Sequence, residues 1–434
     1  MAAFLTIELD RRHLGKIVLE EKDEQYRLEY DQSWLNGGGF PISPHLKPGE
    51  CASESVKRFL ANLLPEGKWL EELSVSSHIS RANVFGLIAA IGAETAGALS
   101  FRMGDELERR LPTSFRPVTS DELTERIGQR RDISIAVWDG KPRLSVAGVQ
   151  EKLPLLIRAD GEMGFGEGEL ASTHILKFGT NAALHLVVNE FVCMQLAKEV
   201  KLPVAEATLV RFGEPVLVVR RFDRQLLENF VVRKHLIDGC QMLDLPPTYK
   251  YERPFGKGGD AAVIRSGVNL PDLFASCRLC RVPAAAMRDM LNWVLFQLLI
   301  GNSDAHGKNI SFFVGPAGID VAPAYDLLNL DMYAGQYDSD FSMAIGDAFA
   351  PEDISPWELA EMCERCGLQK RLVANTLTTL SGKVIKAIDT IDLSSLLPGE
   401  ETEFAGEVIA AIRKNVERYL PYAKQLPKVH VQTP

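Results

Sequence analysis

The chain opens with short alternations of apolar and polar side chains. AFLTIELD, GKIVLEE and YRLEYD, within residues 3–31, each read as a β-strand. A loop with Gly37, Gly38, Gly39 and Pro41 follows, and then the apolar period lengthens. SVKRFLANLL, ending before Pro65, and ANVFGLIAAIG, ending near Gly92, are the spacings of helices. From Gly104 to about Ser120 the chain is charged and carries two prolines, which predicts a linker and a domain boundary.

Between about 121 and 226 helix and strand signals mix. RLSVAGVQEKLPLLIRADGEMGFGEG predicts strand, turn, strand and a Gly-rich hairpin or loop. STHILKF predicts a strand with Thr173, Ile175 and Lys177 on one face and His174, Leu176 and Phe178 on the other. A helix is expected over Asn181 to Val200, with Leu184, Val187, Val188, Phe191, Leu196 and Val200 as its apolar stripe. VAEATLVRF and PVLVVRRFD flank Gly213 as a hairpin. After Asp223 the pattern turns largely helical, in MRDMLNWVLFQLLI and around 356–364, 370–380 and 404–424. The expected organisation is an N-terminal subdomain (1–110), a sheet-rich lobe (111–226) and a helical lobe (227–434).

Composition narrows the function classes. At 434 residues the chain is long enough for two or three substructures, and its 46% hydrophobic and 24% charged shares are those of a folded soluble protein. A net charge of −10 argues against a broad nucleic-acid-binding surface, though not against a local basic patch near Arg365, Lys370 and Arg371. MAAFLTIELDRRH meets charge too early for a signal peptide, and no apolar run nears the roughly 20 residues that span a bilayer. A cytoplasmic protein with no membrane partner is expected. Four of seven cysteines form two C-x-x-C pairs, Cys277/Cys280 and Cys363/Cys366. Both pairs sit in helical patterns, far apart and with no His near, so helix packing is the better reading than zinc.

Candidate chemistry concentrates in NSDAHGKN, residues 302–309, directly behind the apolar run WVLFQLLIG. A turn does not need a carboxylate and a carboxamide five positions apart. Asp304 and Asn309 have the D-x-x-x-x-N spacing of a phosphoryl-transfer loop, with the Asp accepting the hydroxyl proton and the Asn taking a metal. Downstream, VAPAYDLLNL sets Asp326 among apolar residues, either as a Mg²⁺ ligand or as an N-cap opening the turn LLNLD. Lys177 is either an exposed-face residue or a phosphate ligand. Glu190, on the following helix, could pair with it, but a solvated helix charge is the plainer reading. In SVAGVQEK small residues would let backbone N–H groups approach a phosphate, with Lys152 adding charge. These signals come in kinase order.

SVAGVQEK, STHILKF, VVRRFDR, GNSDAHGKN and APAYDLL, in this order, closely resemble the HipA family of serine/threonine kinase toxins. FLANLLPEG, IGAETAGALSF and LDLPPTYKYE resemble the same family, so the likeness spans most of the chain. It implies an α+β, divergent two-lobed protein-kinase-like fold with an additional N-terminal α+β subdomain. By motif match, Asp304 would be the catalytic base, Asn309 and Asp326 would hold Mg²⁺, and Lys177 would contact the ATP α/β-phosphates. Ala147, Gly148, Val149, Gln150, Glu151 and Lys152 would form the phosphate loop, and Arg220, Arg221 and Phe222 the adenine hinge. His306, Gly307, Lys308 and Tyr325 fall in the family's nucleotide-contacting stretches. Ser145 matches the serine that members autophosphorylate, where a phosphate would add charge beside an anionic nucleotide site and inactivate it.

The resemblance also implies partners. Family members phosphorylate aminoacyl-tRNA synthetases, stall translation and cause growth arrest and persistence. They are held by HipB, a helix-turn-helix antitoxin dimer that represses the shared operon, so operator DNA would be reached through that partner. Two departures stand out. Arg220 replaces the family's usual acidic hinge residue, and Leu236 and Ile237 stand where polar residues are common. Neither touches the expected base or metal ligands. The competing readings are a catalytically silent scaffold binding antitoxin and DNA, and a lipid or small-molecule kinase. Retention of Lys177, Asp304, Asn309 and Asp326 together favours the protein kinase.

Overall fold

The computed structural model describes residues 3–20, 22–92, 94–104, 112–143, 150–180 and 183–430. Its first four strands are β1 (Ala3–Leu9), β2 (Arg12–Glu20), β3 (Gln25–Tyr30) and β4 (Leu99–Met103), in an antiparallel sheet of order β3-β2-β1-β4. The central strand β1 is enclosed on both faces, polar positions included. Thr6 Oγ donates to the Gly104 carbonyl at 2.6 Å, and Glu8 accepts from Arg102 at 3.0 Å. Buried polar groups are thus paired, as burial requires. Helices α1 (Gln32–Asn36), α2 (Ser53–Leu63), α3 (Gly67–Ser77) and α4 (Val84–Ile91) lie between β3 and β4 in sequence. In α2, Val56, Phe59, Leu60 and Leu63 form the i, i+3, i+4, i+7 stripe that drives its burial.

The second sheet has six strands: β5 (Ser114–Val118), β8 (Lys152–Ile157), β9 (Met163–Glu167), β10 (His174–Phe178), β11 (Ala207–Phe212) and β12 (Glu214–Arg220), ordered β11-β12-β10-β8-β9-β5. Between them fall α5 (Ser120–Gly128), the two-residue pair β6 (Val137–Trp138) and β7 (Lys141–Pro142), and α6 (Leu186–Glu199). Two expectations need correction here. Part of the expected linker is β5, paired with β9, and its Pro117 is tolerated because β5 is an edge strand. Helix α6 starts at Leu186, not Asn181, and Leu184 is exposed outside it. Gly213 turns the β11–β12 hairpin with φ +74°.

Beyond Asp223 the chain holds more strand than its pattern predicts: β13 (Arg224–Leu226), β14 (Val231–Arg233), β15 (Leu236–Asp238), then β16 (Ser311–Gly315) and β17 (Gly318–Val321). Most are too short to show a period. The helices are α7 (Gly239–Met242), α8 (Leu270–Ser276), α9 (Pro283–Ile300), α10 (Pro356–Cys366), α11 (Lys370–Thr390) and α12 (Glu400–Gln425). The two expected cysteine pairs are buried, at α8's end and on α10. Burial holds the thiols protonated, with Cys280 pushed up to about 11 and Cys277, Cys363 and Cys366 to about 12.

Two compact units emerge. One comprises Met1–Phe178, Val210–Pro247 and Phe312–Ile319, the other Gly179–Leu209, Thr248–Ser311 and Asp320–Pro434. Among the described residues no helix is long and apolar enough to cross a membrane.

Candidate active site

In the second unit the loop that bears Asp304 and Asn309 follows directly on α9. Pro283 opens this helix at a position where a missing N–H costs nothing, and Met290, Leu291 and Trp293–Ile300 are all buried. Gly301 ends it in the left-handed conformation, φ +69°, with its N–H on the Gln297 and Leu298 carbonyls. The chain then enters NSDAHGKN. Asn302, fully buried, donates to Gln297 Oε1 at 2.8 Å and to the Asp326 carbonyl at 3.2 Å. One side chain thereby ties the helix to both candidate acidic positions' segments.

Asp304 is half-buried. Its carbonyl accepts from the His306 N–H at 2.8 Å and from Asn309 Nδ2 at 2.9 Å, so the five-residue spacing closes into a tight loop. Its carboxylate accepts a hydrogen bond from the Tyr251 hydroxyl at 2.9 Å. Asn309 spends one amino hydrogen on Asp304, and only its amide oxygen could take a cation.

His306, Lys308 and Asn309 are buried. The His306 pKa is pushed down to about 3 by burial and by Lys250, with Asp326 opposing and Lys308 adding to the fall. The ring is neutral at physiological pH. Its Nδ1 accepts from the Lys308 N–H at 3.2 Å, which leaves the ring proton on Nε2. The Gly307 N–H donates to the Lys250 carbonyl, and Tyr325 Oη donates to the Lys308 carbonyl at 2.7 Å and meets Ser311 Oγ at 2.8 Å.

Asp326 sits at φ +59°, a conformation that Asp tolerates better than most residues and that clusters at functional sites. It is not an N-cap. The cap of the turn Leu330–Tyr333 is Asn329, whose side chain accepts from the Met332 N–H, so the capping reading of Asp326 is overturned. Asn329 is itself clamped by Asn189 of α6, which donates to its carbonyl at 2.8 Å and accepts from its N–H at 2.7 Å. Beside Asn189, Glu190 is fully buried, which overturns its reading as a solvated helix charge.

The remaining candidates lie in the first unit. Lys177 on β10 is directly across from Lys152 on β8 in the strand register, and both are buried. Like charges directly opposite one another are unfavourable on their own, so each needs compensation by other groups. Gln150 Nε2 donates to the Phe178 carbonyl, and Glu151 pairs with Lys68 and Arg130. Arg220 is exposed at the end of β12, whereas Arg221 is buried and bonds Asp223 and Ser172. Phe222 meets Phe313 edge to face. Ser145, Ala147, Gly148 and Val149 lie outside the described residues. Of the expected basic patch, in the second unit, Arg365 pairs with Asp347 and Lys370 with Glu364, while Arg371 is exposed.

Among the described residues there is no cluster of three or more His, Cys, Asp or Glu side chains fit for a metal. Asn309 and Asp326 are hard oxygen donors, one neutral and one anionic. That set suits Mg²⁺, which is bound through one or two carboxylates with water and substrate phosphates completing its shell.

Residues 5–102 match the HipA N-terminal domain model and residues 144–388 the HipA-like C-terminal domain model. The chain is 41% identical to the serine/threonine-protein kinase toxin HipA of Shewanella oneidensis, over 99% of both chains. The chain belongs to the HipA family. Its fold agrees: a HipA from the Shewanella oneidensis complex of HipA, HipB and operator DNA superposes with a TM-score of 0.88 at 39% identity, covering 98% of this chain and 100% of that one. The putative kinase Y4mE of Sinorhizobium fredii is 30% identical over 90% of this chain and 93% of its own. This chain is therefore a HipA-family kinase with an α+β kinase-like fold. Sequence reasoning missed Tyr251, Lys250 and Asn302. The stretch LDLPPTYKYE has no periodicity that singles out one aromatic, and Asn302 looks like an ordinary turn residue.

Proposed function

We propose that this chain is the serine/threonine-protein kinase toxin of a HipBA-like toxin–antitoxin system. It moves the γ-phosphoryl group of ATP to a hydroxyl of a protein substrate, an aminoacyl-tRNA synthetase, and thereby arrests translation and growth. The observation that carries the reading is the closed loop of Asp304 and Asn309 in a chain related along its whole length to a named HipA kinase toxin.

In this reading Asp304 accepts the proton of the attacking hydroxyl. Asn309 and Asp326 hold Mg²⁺, which neutralises phosphate charge when bound. Lys177 and Lys152 attract the phosphates, with residues 147–152 as the phosphate loop. Arg220 to Phe222 take the adenine through their backbone, and His306, Gly307, Lys308 and Tyr325 shape the nucleotide site. A neutral His306 can donate from Nε2 without adding charge. Ser145 is the autophosphorylation site. The partner is a HipB-like helix-turn-helix dimer that carries the complex to operator DNA; the support is that the related Shewanella structure is a complex of HipA with HipB and operator DNA.

The test is intact-mass measurement of the purified, initially unphosphorylated chain after incubation with Mg²⁺ and ATP, beside Asp304→Asn. A phosphate-sized gain in the first alone, mapped to Ser145, is expected. No gain in either would move the scaffold reading to the front.

A further inference from the structure

Nothing in the phosphoryl-transfer logic above calls for a tyrosine. Yet Tyr251 places its hydroxyl 2.9 Å from Asp304 Oδ1, on a half-exposed ring. Such a contact could be incidental if the segment were loose. It is not loose, because its backbone is fixed on three sides within the second unit. The Gly307 N–H of the catalytic loop donates to Lys250 at 2.9 Å, the Val268 N–H to Tyr249 at 2.9 Å, and the Glu252 N–H to Ser342 at 2.9 Å. Ser342 in turn bonds Ser303, the neighbour of Asp304, through both its N–H and its hydroxyl at 2.8 Å.

The packing is equally specific. The Tyr251 ring meets His306 edge to face at 5.1 Å. A Cβ at Gly267 would lie 1.8 Å from the Tyr251 carbonyl, so only glycine lets this neighbouring strand of chain close on the tyrosine. Glu252, next along, is buried and binds Arg265 and the Ala344 N–H, which anchors the far end of the segment. A rigid frame therefore presents one neutral donor to one carboxylate oxygen.

A carboxylate in a transfer site has two oxygens and freedom to rotate about its χ2 bond. A donor fixed on one oxygen removes that freedom. We infer that Tyr251 is a positioning residue of the acceptor site: its hydroxyl holds Oδ1 of Asp304 and so fixes the orientation in which the carboxylate meets the incoming substrate hydroxyl. This rests on the reading of Asp304 as the base.

The experiment uses the full-length chain, with Tyr251→Phe, Tyr251→Ala and Asp304→Asn, and reads phosphate incorporation from Mg²⁺ and ATP by intact mass. ATP affinity and thermal midpoint are measured in parallel. Tyr251→Phe is expected to lower the maximal transfer rate about 10- to 100-fold, the usual cost of a misplaced group. ATP Kd and thermal midpoint should stay at the wild-type values, and Tyr251→Ala should lose no less activity than Phe. A wild-type or faster rate in Tyr251→Phe, with Asp304→Asn inactive, overturns the positioning role and leaves the base intact. A loss shared by rate, ATP Kd and thermal midpoint marks a general structural role and also overturns it. Wild-type activity in Asp304→Asn instead removes the base reading itself, and this inference with it.

Discussion

Asp223 and Asp304 are the same residue type, each in a different compact unit, and they are held in opposite ways. Asp223 is buried and takes hydrogen bonds from the Gly97 N–H and from both Arg221 and Arg224. Burial pushes its carboxyl up, but the two guanidinium groups outweigh burial and hold it well below the usual carboxylate range. Arg224 also donates to the Gly97 and Thr95 carbonyls, so the knot ties the end of β12 to residues 95–97 of the N-terminal region. Asp304 is half-buried and receives a neutral phenol. An enclosed carboxylate paired with buried arginines fixes architecture. A carboxylate that reaches solvent on a fixed loop can meet another molecule.

The comparison breaks most readily at Asp223. Its replacement by alanine leaves two arginines buried together without their counter-charge. A loss of roughly 3–5 kcal/mol in urea unfolding is expected. Asp304→Asn, by contrast, should stay within about 0.5 kcal/mol of the wild type, because the half-exposed site keeps its shape. Similar losses at both positions would end the distinction between an architectural and a functional aspartate. The knot also has a pH sense. Asp223 has a depressed pKa, so its stabilisation is present above the unfolded carboxylate range and fades only in strong acid.

A second prediction sharpens the functional side. Asp326→Asn retains a residue that tolerates positive φ and removes the charge. Phosphate transfer should fall on the order of 100-fold or more, the scale for removing one charge-stabilising group, with unfolding midpoint nearly unchanged. Asp326→Val, which is poorly suited to φ +59°, should in addition cost about 1–2 kcal/mol of stability.

The third concerns His235, the first unit's buried histidine. Its ring donates to the Ile42 carbonyl at 2.8 Å, and burial pushes its pKa down to about 4, with that hydrogen bond opposing. The unfolded chain therefore binds a proton first as pH falls from about 6.5 toward 4. Stability should drop across that window, approaching about 1.4 kcal/mol per pH unit from this group, and His235→Gln should flatten the fall. An unchanged profile in acid unfolding would show that the ring is protonated without cost.

Much of this was legible in the chain itself, where local pattern and burial agree. The strands β1 to β3, the helices α2, α4 and α9, and the D-x-x-x-x-N loop all follow from periodicity and spacing. The failures share a cause, which is that long-range partners decide them. Pro117 reads as linker until β9 pairs with it at a sheet edge. Strands β13 to β15 are three residues each, too short for a period. Asp326 resembles a cap until Asn329 takes that role, and Glu190 resembles a surface charge until the helix around it is enclosed. Tyr251 is separated from Asp304 by 53 positions, and no local pattern links them.

The smallest expected effect separates two adjacent arginines. Arg220 is exposed at the end of β12, opposite His174, while Arg221 is buried with its guanidinium on Asp223 and Ser172 and its N–H on the Thr173 carbonyl. If the hinge binds adenine through its backbone, the side chain at 220 contributes little. Arg220→Glu should then leave ATP affinity close to the wild type and stability within about 0.5 kcal/mol. Arg221→Ala should destabilise by several times that, since it leaves Asp223 short of a partner. Calorimetric titration with ATP decides the first point and urea unfolding the second. A large loss of ATP affinity in Arg220→Glu would place that side chain on the nucleotide.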